Sequence, residues 1–390
     1  MSNNLVVNTT SSETRVALVE DGIISEFHIE RKRDRDVVGN IYKGKVRRAI
    51  KGLQAAFVDV AQEKAGFLHV SDYYNFDADL KAAQNDQDLW PPPSRGDNQG
   101  DKQITNVLSE GDEILVQVDK EPIGSKGARL TGRISVPGRY VVFMPTVSHI
   151  GVSRRIDSDK ERSRLREVVK EHRPDGTGFI VRTVSEGVSE KKIKRDIDAL
   201  VDMWESMLEK SDGVGAPYLL YEEPDLLVRA TRDLFTSEFD ALIVDDERAY
   251  NRVKQFVDHF MPDFNGRLEL YEEDDPIFDA YGIEVEIDRA LSREVELESG
   301  GHLIIDHTEA LTTVDVNTGS FVGSKSHAET IRKTNVEAAR EVVYQVRLRN
   351  IGGIIIIDFI DMENPEARQQ VYETLEAELE KDRVTTNALN

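Results

Sequence analysis

The fold of this chain is decided by residues 311–362, which have the sequence LTTVDVNTGSFVGSKSHAETIRKTNVEAAREVVYQVRLRNIGGIIIIDFIDM. Residues 312–316 are β-branched and alternate in polarity, which predicts a short strand. Residues 354–357 are consecutive isoleucines behind two glycines, the pattern of a strand buried on both faces. Between the two, apolar residues recur at steps of three and four, as in an amphipathic helix. The apolar positions of this helix are Val336, Ala339, Val343 and Val346.

An aspartate lies at the carboxyl end of each predicted strand, Asp315 beside the last residue of the first and Asp358 directly after the isoleucine run of the second. A connecting helix of this length joins parallel strands, and the carboxyl ends of parallel strands lie on one rim of the sheet. Open α/β folds bind their ligands at that rim. We therefore expect Asp315 and Asp358 to lie close together, although 43 positions separate them in the sequence.

A pair of carboxylates without a nearby lysine or arginine is costly at the end of a buried strand unless a cation joins it. Magnesium suits such a pair, because it prefers oxygen ligands and usually takes only one or two protein carboxylates. Waters and substrate phosphates complete its coordination shell. The amide of Asn317 is placed to orient one carboxylate. The pattern therefore predicts a magnesium site on Asp315 and Asp358.

A second interpretation gives the same residues a structural role. Residues 317–319 would form a turn, and Asp358 or Asp361 would help to cap the next helix. Asn364 and Pro365 are already a suitable N-cap and first-turn pair for that helix. Spacing alone does not choose between the two interpretations.

Two motifs of this segment resemble the catalytic signature of the ribonuclease E/G family. They are TTVDVNTG at 312–319 and RLRNIGGIIIIDFIDM at 347–362, and the likeness extends over nearly the whole chain. The resemblance implies a magnesium-dependent endoribonuclease of single-stranded RNA in RNA processing and decay. It also implies that Asp315 and Asp358 are the metal ligands and that Asn317 supports them. Manganese is expected to replace magnesium.

The resemblance further implies a composite α/β fold. An RNase H-like subdomain, without that fold's own catalytic carboxylates, is interrupted by an OB-fold RNA-binding domain and a 5′ sensor subdomain. A DNase I-like catalytic subdomain follows. The expected boundaries are 1–36 and 216–290 for the two parts of the RNase H-like subdomain, 37–131 for the OB fold of the ribosomal protein S-one type, 132–215 for the 5′ sensor and 291–390 for the catalytic subdomain.

The composition places limits on this interpretation. The chain has 390 residues and no cysteine, which excludes disulfide bonds and thiolate zinc sites within it and fits a reducing compartment. Its start lacks a basic region followed by an apolar core, and no apolar run approaches the about 18 residues of a membrane span. We expect a soluble, cytoplasmic protein of two or more domains.

The formal net charge of −23 is unusual for a protein that binds nucleic acid, but the charge is unevenly distributed. Residues 31–51 contain nine Lys or Arg and two Asp, whereas residues 261–300 contain thirteen acidic and three basic residues. A basic RNA-binding region is therefore compatible with the acidic total. The same charge distribution would also fit an ordinary solvated surface or adaptation to a salty cytoplasm.

The first strands are predicted at 5–8, 15–20 and 23–29, with Asp21 and Gly22 as a two-residue hairpin turn. They form a small antiparallel sheet. The composition then shifts to a basic, glycine-punctuated β region, which indicates that a second domain is inserted there.

The inserted region has the short, closely spaced strands of a small OB-like barrel. Phe57 and Phe67 lie symmetrically about Gln62, so a hairpin turn at 61–64 would place both rings on one face as a stacking platform. The basic residues beside it would be Lys43, Lys45 and Arg47. Aromatic residues on strands also commonly belong to the core. The resemblance favours the platform, because Phe57, Phe67 and Lys126 match RNA-contacting positions of the family.

A polar, proline-rich segment at 75–100 is predicted to be a mobile loop, and no chemistry is assigned to it.

A second anion site is indicated by Arg182 and Thr183. A guanidinium beside a hydroxyl can hold a terminal phosphate, especially when backbone N–H groups of a glycine turn such as Gly138 point the same way. An Arg-Thr pair at a strand end is also common on ordinary surfaces. By resemblance, Arg182 and Thr183 match the family's 5′-monophosphate sensor, and Gly138 and Val142 line its pocket.

Elsewhere the sequence predicts regular elements with core roles. A charged helix at 191–208 carries the apolar stripe Ile193, Ile197, Leu200, Trp204 and Leu208. Residues 226–230 and 241–246 are predicted as strands, residues 248–260 as a helix, and 365–381 as the last helix.

Two rival functions and an expectation about assembly remain. One rival is an RNA-binding regulator whose catalysis has lapsed, since the chain stops at KDRVTTNALN, before further segments of the family. The other is a salt-adapted structural protein without affinity for nucleic acid. The family typically continues with a paired-cysteine zinc link that joins protomers. We therefore expect no zinc here, and any homo-oligomer is expected to form without a zinc link.

Overall fold

The computed structural model describes residues 3–73, 103–122, 126–319, 327–382, 384 and 386–389. The predicted loop at 75–100 lies outside these residues. The chain divides into two compact units. The first contains Met1–Lys32, Ser237–Lys254 and Phe264–Asn390, and the second contains Arg33–Thr236 and Gln255–Asp263.

The described part of the chain contains mixed α and β structure. The strands are β1 (Asn4–Thr9), β2 (Glu13–Glu20), β3 (Ile23–Arg31), β4 (Ile41–Ile50), β5 (Ala55–Asp59), β6 (Gly66–His69), β7 (Glu113–Lys120), β8 (Arg129–Thr131), β9 (Val136–Pro137), β10 (Val141–Met144), β11 (Ile150–Val152), β12 (Gly178–Val181), β13 (Tyr218–Tyr221), β14 (Ala241–Val244), β15 (Leu268–Leu270), β16 (Glu294–Glu296), β17 (His302–His307), β18 (Leu311–Asn317) and β19 (Ile354–Asp358). The α-helices are α1 (Val70–Tyr73), α2 (Ile104–Val107), α3 (Asp159–His172), α4 (Glu190–Asp212), α5 (Leu226–Asp233), α6 (Glu247–Phe260), α7 (Ile277–Ala280), α8 (Ile283–Leu291), α9 (His327–Leu348) and α10 (Pro365–Leu379).

One sheet of the first unit has the strand order β15-β14-β1-β2-β3. The three predicted N-terminal strands are confirmed, and they pair antiparallel. Asp21 and Gly22 both have positive φ, 53° and 84°, as a tight hairpin turn requires. The sheet is larger than the predicted one, because β14 and β15 extend it with parallel pairing. Its core includes Val6 and Ile243.

The second sheet of this unit has the order β16-β17-β18-β19 and is covered on one face by α9. The predicted strand, helix and parallel strand are confirmed by the pairing of β18 with β19. The predicted burial of β19 on both faces is wrong. Ile354 and Ile356 are 64% and 51% exposed, because only the other face of β19, with Ile355 and Ile357, packs against the helix.

The second unit contains a small β-barrel consistent with an OB fold. Strands follow the order β4-β5-β6-β8-β7, and β7 pairs back onto β4, which closes the barrel. Apolar side chains such as Tyr42, Val58 and Leu68 fill its interior. Strand β13 pairs with the outer edge of β4.

A four-stranded sheet of order β11-β12-β10-β9 completes this unit, with α3 and α4 packed on it. Ile193, Ile197 and Leu200 of α4 are buried as predicted, and Trp204 is partly buried against the same core. The prediction for Leu208 is wrong, since it is 38% exposed. Met207 is buried in its place, because it follows Leu200 by seven positions, two full helical turns.

The predicted strand at 226–230 is also wrong, because these residues belong to helix α5. The Asp225 side chain caps this helix by accepting a hydrogen bond from the Val228 backbone N–H at 3.3 Å. Leu226, Leu227 and Ala230 are buried on one side of the helix. An apolar run this short has no period that distinguishes the two structures. The predicted strand at 241–246 and the helices at 248–260 and 365–381 are confirmed.

Among the described helices, none is both long enough and apolar enough to cross a lipid bilayer. The boundaries of the four subdomains stay predictions.

Candidate functional site

The exposed face of the β16-β17-β18-β19 sheet brings the two predicted carboxylates together. Strands β18 and β19 pair in parallel, with Asp315 directly beside Asp358 in register. Both side chains are exposed. The convergence expected from the sequence is therefore confirmed, and both carboxylates point away from α9, toward the side open to solvent.

Asp315 and Asp358 differ from Asp306, another aspartate of this sheet face, in having no basic partner among the described residues. The Asn317 side-chain N–H donates to Asp315 Oδ2 at 2.7 Å, the arrangement predicted for a supporting amide. Across the described residues, neither aspartate forms an ion pair. Asp306 of the same face is held by Arg293 through two contacts of 2.6 Å, and this hydrogen bonding lowers the pKa of Asp306. Within the described residues, no basic side chain therefore competes with a cation for the Asp315–Asp358 pair.

The donor set fits magnesium. Two carboxylates at adjacent strand ends supply hard oxygen ligands, and the open face leaves room for waters and a phosphate. Because the strand end is exposed, desolvation does not drive cation binding here, as the sequence had suggested. For a cation bound here, the driving force would be relief of the mutual repulsion of two like charges.

Two contacts fix the backbone on either side of this carboxylate pair. Asn335, fully buried on α9, donates its amide N–H to the carbonyl of Ile360 at 2.8 Å and accepts from the Ile360 N–H at 3.1 Å. This holds the segment that follows Asp358. On the other side, Gly319 lies so close to the backbone of Gly300 that any Cβ would collide with the Gly300 carbonyl.

The structure also places the cap of the following helix. Asn364 caps α10, and its side chain accepts from the Glu366 N–H at 2.8 Å. The alternative role of Asp358 or Asp361 as a helix cap is therefore not needed for α10.

A row of side chains crosses the outer surface of the barrel. Phe57 on β5 lies opposite Phe67 on β6 and opposite Arg48 on β4. Phe67 in turn lies beside Arg129 on β8. The phenyl ring centroids are 6.0 Å apart with an interplanar angle of 72°. Both rings are half-buried and lie outside the barrel core, so each offers part of its surface to a ligand. We call Arg48, Phe57, Phe67 and Arg129 the aromatic row.

The cations near the aromatic row differ in how far they are committed to other partners. Lys43 donates to the carbonyls of Ser211 and Val214 at 3.0 and 2.9 Å and pairs with Glu113, so it is not beside the rings as predicted. Arg47 is bound to Asp59 at 2.6 Å, and this hydrogen bond lowers the pKa of Asp59.

Lys45, Arg47, Arg48, Lys126 and Arg129 are all exposed, but Arg47 is bound to Asp59 and Arg129 to Asp72. Within the described chain, Arg48 has no hydrogen-bond or ion-pair partner. Lys126 is placed near Phe67 by two backbone contacts. The Phe67 N–H donates to the carbonyl of Ala128 at 2.7 Å, and Gly127 packs so tightly on the Ala65 carbonyl that a Cβ would not fit.

The predicted phosphate pocket lies at the end of β12. Arg182 Nη1 donates to the Gly138 carbonyl at 2.7 Å and to Asp233 Oδ1 at 2.6 Å. The Thr183 hydroxyl lies 2.8 Å from that of Ser153. Val142 lies on β10, in register with Pro137 on β9 and Ile180 on β12. The structure thus joins Arg182 to Gly138 directly, and Val142 lies in the same sheet.

The backbone N–H groups beside Gly138 are already occupied. Gly138 itself donates to the Val141 carbonyl. The next three N–H groups, of Arg139, Tyr140 and Val141, donate to the carboxylate of Asp196 at 3.1, 2.7 and 3.0 Å. Asp196 is 4% exposed, and burial raises its pKa against the opposing effect of these N–H groups. The predicted anion-binding turn therefore holds an internal carboxylate, and only side chains remain for an external phosphate.

Comparison with known proteins adds the deciding observation. The model of the ribonuclease E/G family matches residues 135–390. The chain is 46% identical to ribonuclease G of Escherichia coli K12 over 387 residues, which cover 99% of this chain and 77% of that protein. The chain is 45% identical to ribonuclease G of Haemophilus influenzae, over 98% of this chain and 76% of that protein. It is 37% identical to ribonuclease E of the same organism, over 98% of this chain and 40% of that protein.

The chain belongs to the ribonuclease E/G family. The family model includes the carboxylate pair and the Arg182 pocket. The aromatic row precedes the matched residues, in a region that the alignment with E. coli ribonuclease G nevertheless includes.

Sequence reasoning missed several residues that hold the sites of this ribonuclease E/G family member in place. Asn335, Asp196 and Arg232 are buried polar residues on apolar helix faces. Each interrupts a stripe of apolar residues, and that interruption was a signal present in the sequence. Asp233 had no such signal, because its contact with Arg182 spans 51 positions.

Proposed function

We propose that this endoribonuclease cleaves single-stranded RNA with magnesium held by Asp315 and Asp358, and that it favours RNA with a 5′-monophosphate. The observation that carries the proposal is the pair of adjacent, exposed carboxylates without a cationic partner in the described part of the chain. Magnesium would supply Lewis-acid polarisation of the phosphoryl group and activation of a water, leaving a 5′-phosphate and a 3′-hydroxyl.

The remaining residues bind and orient. Asn317 fixes Asp315 through the 2.7 Å hydrogen bond, so that one carboxylate keeps its direction when substrate binds. Asn335 holds the segment after Asp358. The aromatic row offers two rings for base stacking and a cation for the phosphate backbone. Arg182 and Thr183 would bind the terminal phosphate through charge-assisted hydrogen bonds.

The direct test is cleavage of a 5′-monophosphorylated, single-stranded oligoribonucleotide with magnesium and after its removal by EDTA. We expect cleavage only with magnesium, and restoration by manganese. The rival function, an RNA-binding regulator without catalysis, predicts binding of the same oligonucleotide and no products in either condition.

The aromatic row is expected to contribute to RNA affinity through stacking. Phe57→Ala or Phe67→Ala should weaken binding by about 1–3 kcal/mol per lost base contact, with the magnesium requirement unchanged. Fluorescence anisotropy beside thermal unfolding checks this. Early melting with intact affinity would instead assign both rings to the core.

Arg48 is expected to contribute charge at the same surface. Arg48→Gln should reduce the slope of log affinity against log salt by about 0.7, the value for one phosphate contact on a single strand. Arg47→Gln is the matched control, since that guanidinium is already bound to Asp59 and should change the slope less. Equal slopes for the two variants would contradict the assignment.

Arg182→Ala is expected to impair turnover of 5′-monophosphorylated RNA more than turnover of 5′-hydroxyl RNA of the same sequence. The reason is that only the first substrate presents the charge that the guanidinium would hold. The measurement is kcat/KM for both oligonucleotides. An equal loss on the two would make Arg182 a structural residue.

A further inference from the structure

The Arg182 guanidinium is held at one nitrogen only. Nη1 carries both of its hydrogen bonds, to the Gly138 carbonyl and to Asp233. Nε and Nη2 have no partner within the described residues, and neither atom is buried. Since the side chain is 26% exposed, this free edge is the part of the guanidinium that reaches solvent. Nε and Nη2 form the planar fork that binds two oxygens of a phosphate at once.

Asp233 is itself fixed before it contacts Arg182. Arg232 donates to both of its oxygens, Nε to Oδ1 at 3.1 Å and Nη2 to Oδ2 at 2.9 Å. Arg232 is 7% exposed and also contacts Glu223 Oε1 and the Pro137 carbonyl, both at 3.1 Å. Burial acts to raise the pKa of Asp233, but Arg232 and Arg182 outweigh it and the pKa lies below its usual range. Asp233 is therefore a rigid anion.

Asp233 has two opposite effects on a phosphate bound at Arg182. As a negative charge near the pocket it would repel phosphate. However, Arg232, which it shares with Glu223, contacts both of its oxygens and offsets part of that charge, so the repulsion is reduced. As an anchor, it removes the rotamer freedom of a long side chain before binding, which favours the bound state. Anchoring is the larger effect.

We propose that Asp233 is a positioning residue of the 5′-phosphate pocket, which holds Arg182 by Nη1 so that Nε and Nη2 face the terminal phosphate of RNA. The proposal rests on the proposed role of Arg182. It gives a specific function to a network of alternating charges, Glu223, Arg232, Asp233 and Arg182. Glu223 and Arg232 are the buried end of this network, and Asp233 and Arg182 are its partly exposed end.

The test is a double-mutant cycle on Asp233→Asn and Arg182→Ala, with the selectivity ratio as its readout. This ratio is kcat/KM for 5′-monophosphorylated RNA divided by kcat/KM for 5′-hydroxyl RNA of the same sequence. Because both values come from one preparation, the ratio does not depend on how much of a variant is folded. An asparagine at 233 turns an amide N–H toward Arg232 or Arg182, so at least one of the contacts is lost.

Asp233→Asn should lower the selectivity ratio about 10-fold in the wild-type background, the effect of one charge-assisted hydrogen bond, and not further in the Arg182→Ala background. Asp233→Glu keeps a carboxylate and should retain more of the ratio than Asp233→Asn. Asp263→Asn, which breaks the surface pair with Lys192 in the same unit, is the control and should leave the ratio unchanged.

The possible outcomes separate this proposal from the one on which it rests. If Arg182→Ala lowers the ratio but Asp233→Asn leaves it unchanged or raises it, Arg182 binds phosphate and Asp233 does not position it. An equal effect of Asp233→Asn in both backgrounds would likewise overturn the proposal. If Arg182→Ala has no effect on the ratio, the pocket itself is refuted and the role of Asp233 with it.

Discussion

Asp315→Asn or Asp358→Asn is expected to reduce cleavage by about 1000-fold or more while RNA affinity changes only a few-fold. Loss of a metal ligand removes several kcal/mol of charge stabilisation in the transition state, and each 1.36 kcal/mol is about tenfold in rate. Affinity should persist because the proposed RNA-binding surface is that of the barrel, which does not include these residues. Single-turnover cleavage and equilibrium binding of one oligonucleotide measure the two effects separately.

Asp306→Asn is the matched control for this prediction. It removes a carboxylate from the same sheet face, but one that Arg293 already binds. Cleavage should be close to that of the wild type. Undiminished cleavage by an Asp315→Asn, Asp358→Asn double variant would rule out the carboxylate pair as the catalytic centre.

Asp196→Ala is expected to be the most destabilising single substitution proposed for this chain. It leaves three buried backbone N–H groups, of Arg139, Tyr140 and Val141, without acceptors. Each unsatisfied buried donor costs about 1–3 kcal/mol, so a loss of about 3 kcal/mol or more in the free energy of unfolding is expected.

The control for this prediction is Asp198→Ala, two positions further along α4. Among the described residues, Asp198 pairs with Lys194 alone, and its side chain is 51% exposed, so its removal should cost about 0.5 kcal/mol or less. Urea unfolding followed by circular dichroism provides both values. Similar urea midpoints for the two variants would mean that other groups accept hydrogen bonds from the backbone N–H groups of residues 139–141.

The carboxylate pair could be predicted from the sequence because the local strand and helix patterns and the rule for connecting parallel strands led to the same arrangement. The isoleucine run and the helical period fixed the order of β18, α9 and β19, and a helical crossover allows only parallel strands. Parallel pairing then placed Asp315 beside Asp358. The pairing of Phe57 with Phe67 was also predictable. The two residues lie at equal distances from the predicted turn at 61–64, and the position of a hairpin turn sets which residues of its two strands lie opposite each other.

What the sequence did not specify is which side chains contact one another across the fold. The exposure of Ile354 and Ile356 depends on the sheet face opposite α9 being open to solvent, which no local pattern encodes. Similarly, Lys43 and Arg48 are both basic residues of β4. Lys43 is bound to the carbonyls of Ser211 and Val214, whereas Arg48 is exposed. Such pairings result from tertiary packing.

The helix at 226–233 is a further case of this limit. Leu226, Leu227 and Val228 are compatible with a strand, and the cap from Asp225 decides for a helix by satisfying the Val228 N–H. The signal was an aspartate directly before the apolar run, which is also a common residue in turns.

The central claim, that Asp315 and Asp358 together bind a divalent ion, is tested most directly by titrating the free chain with Mn²⁺ and following the electron paramagnetic resonance signal. The account predicts a Mn²⁺ site that competes with magnesium, is lost in Asp315→Asn and in Asp358→Asn, and persists in Asp306→Asn. Equal Mn²⁺ binding by the wild type and both aspartate variants would contradict it.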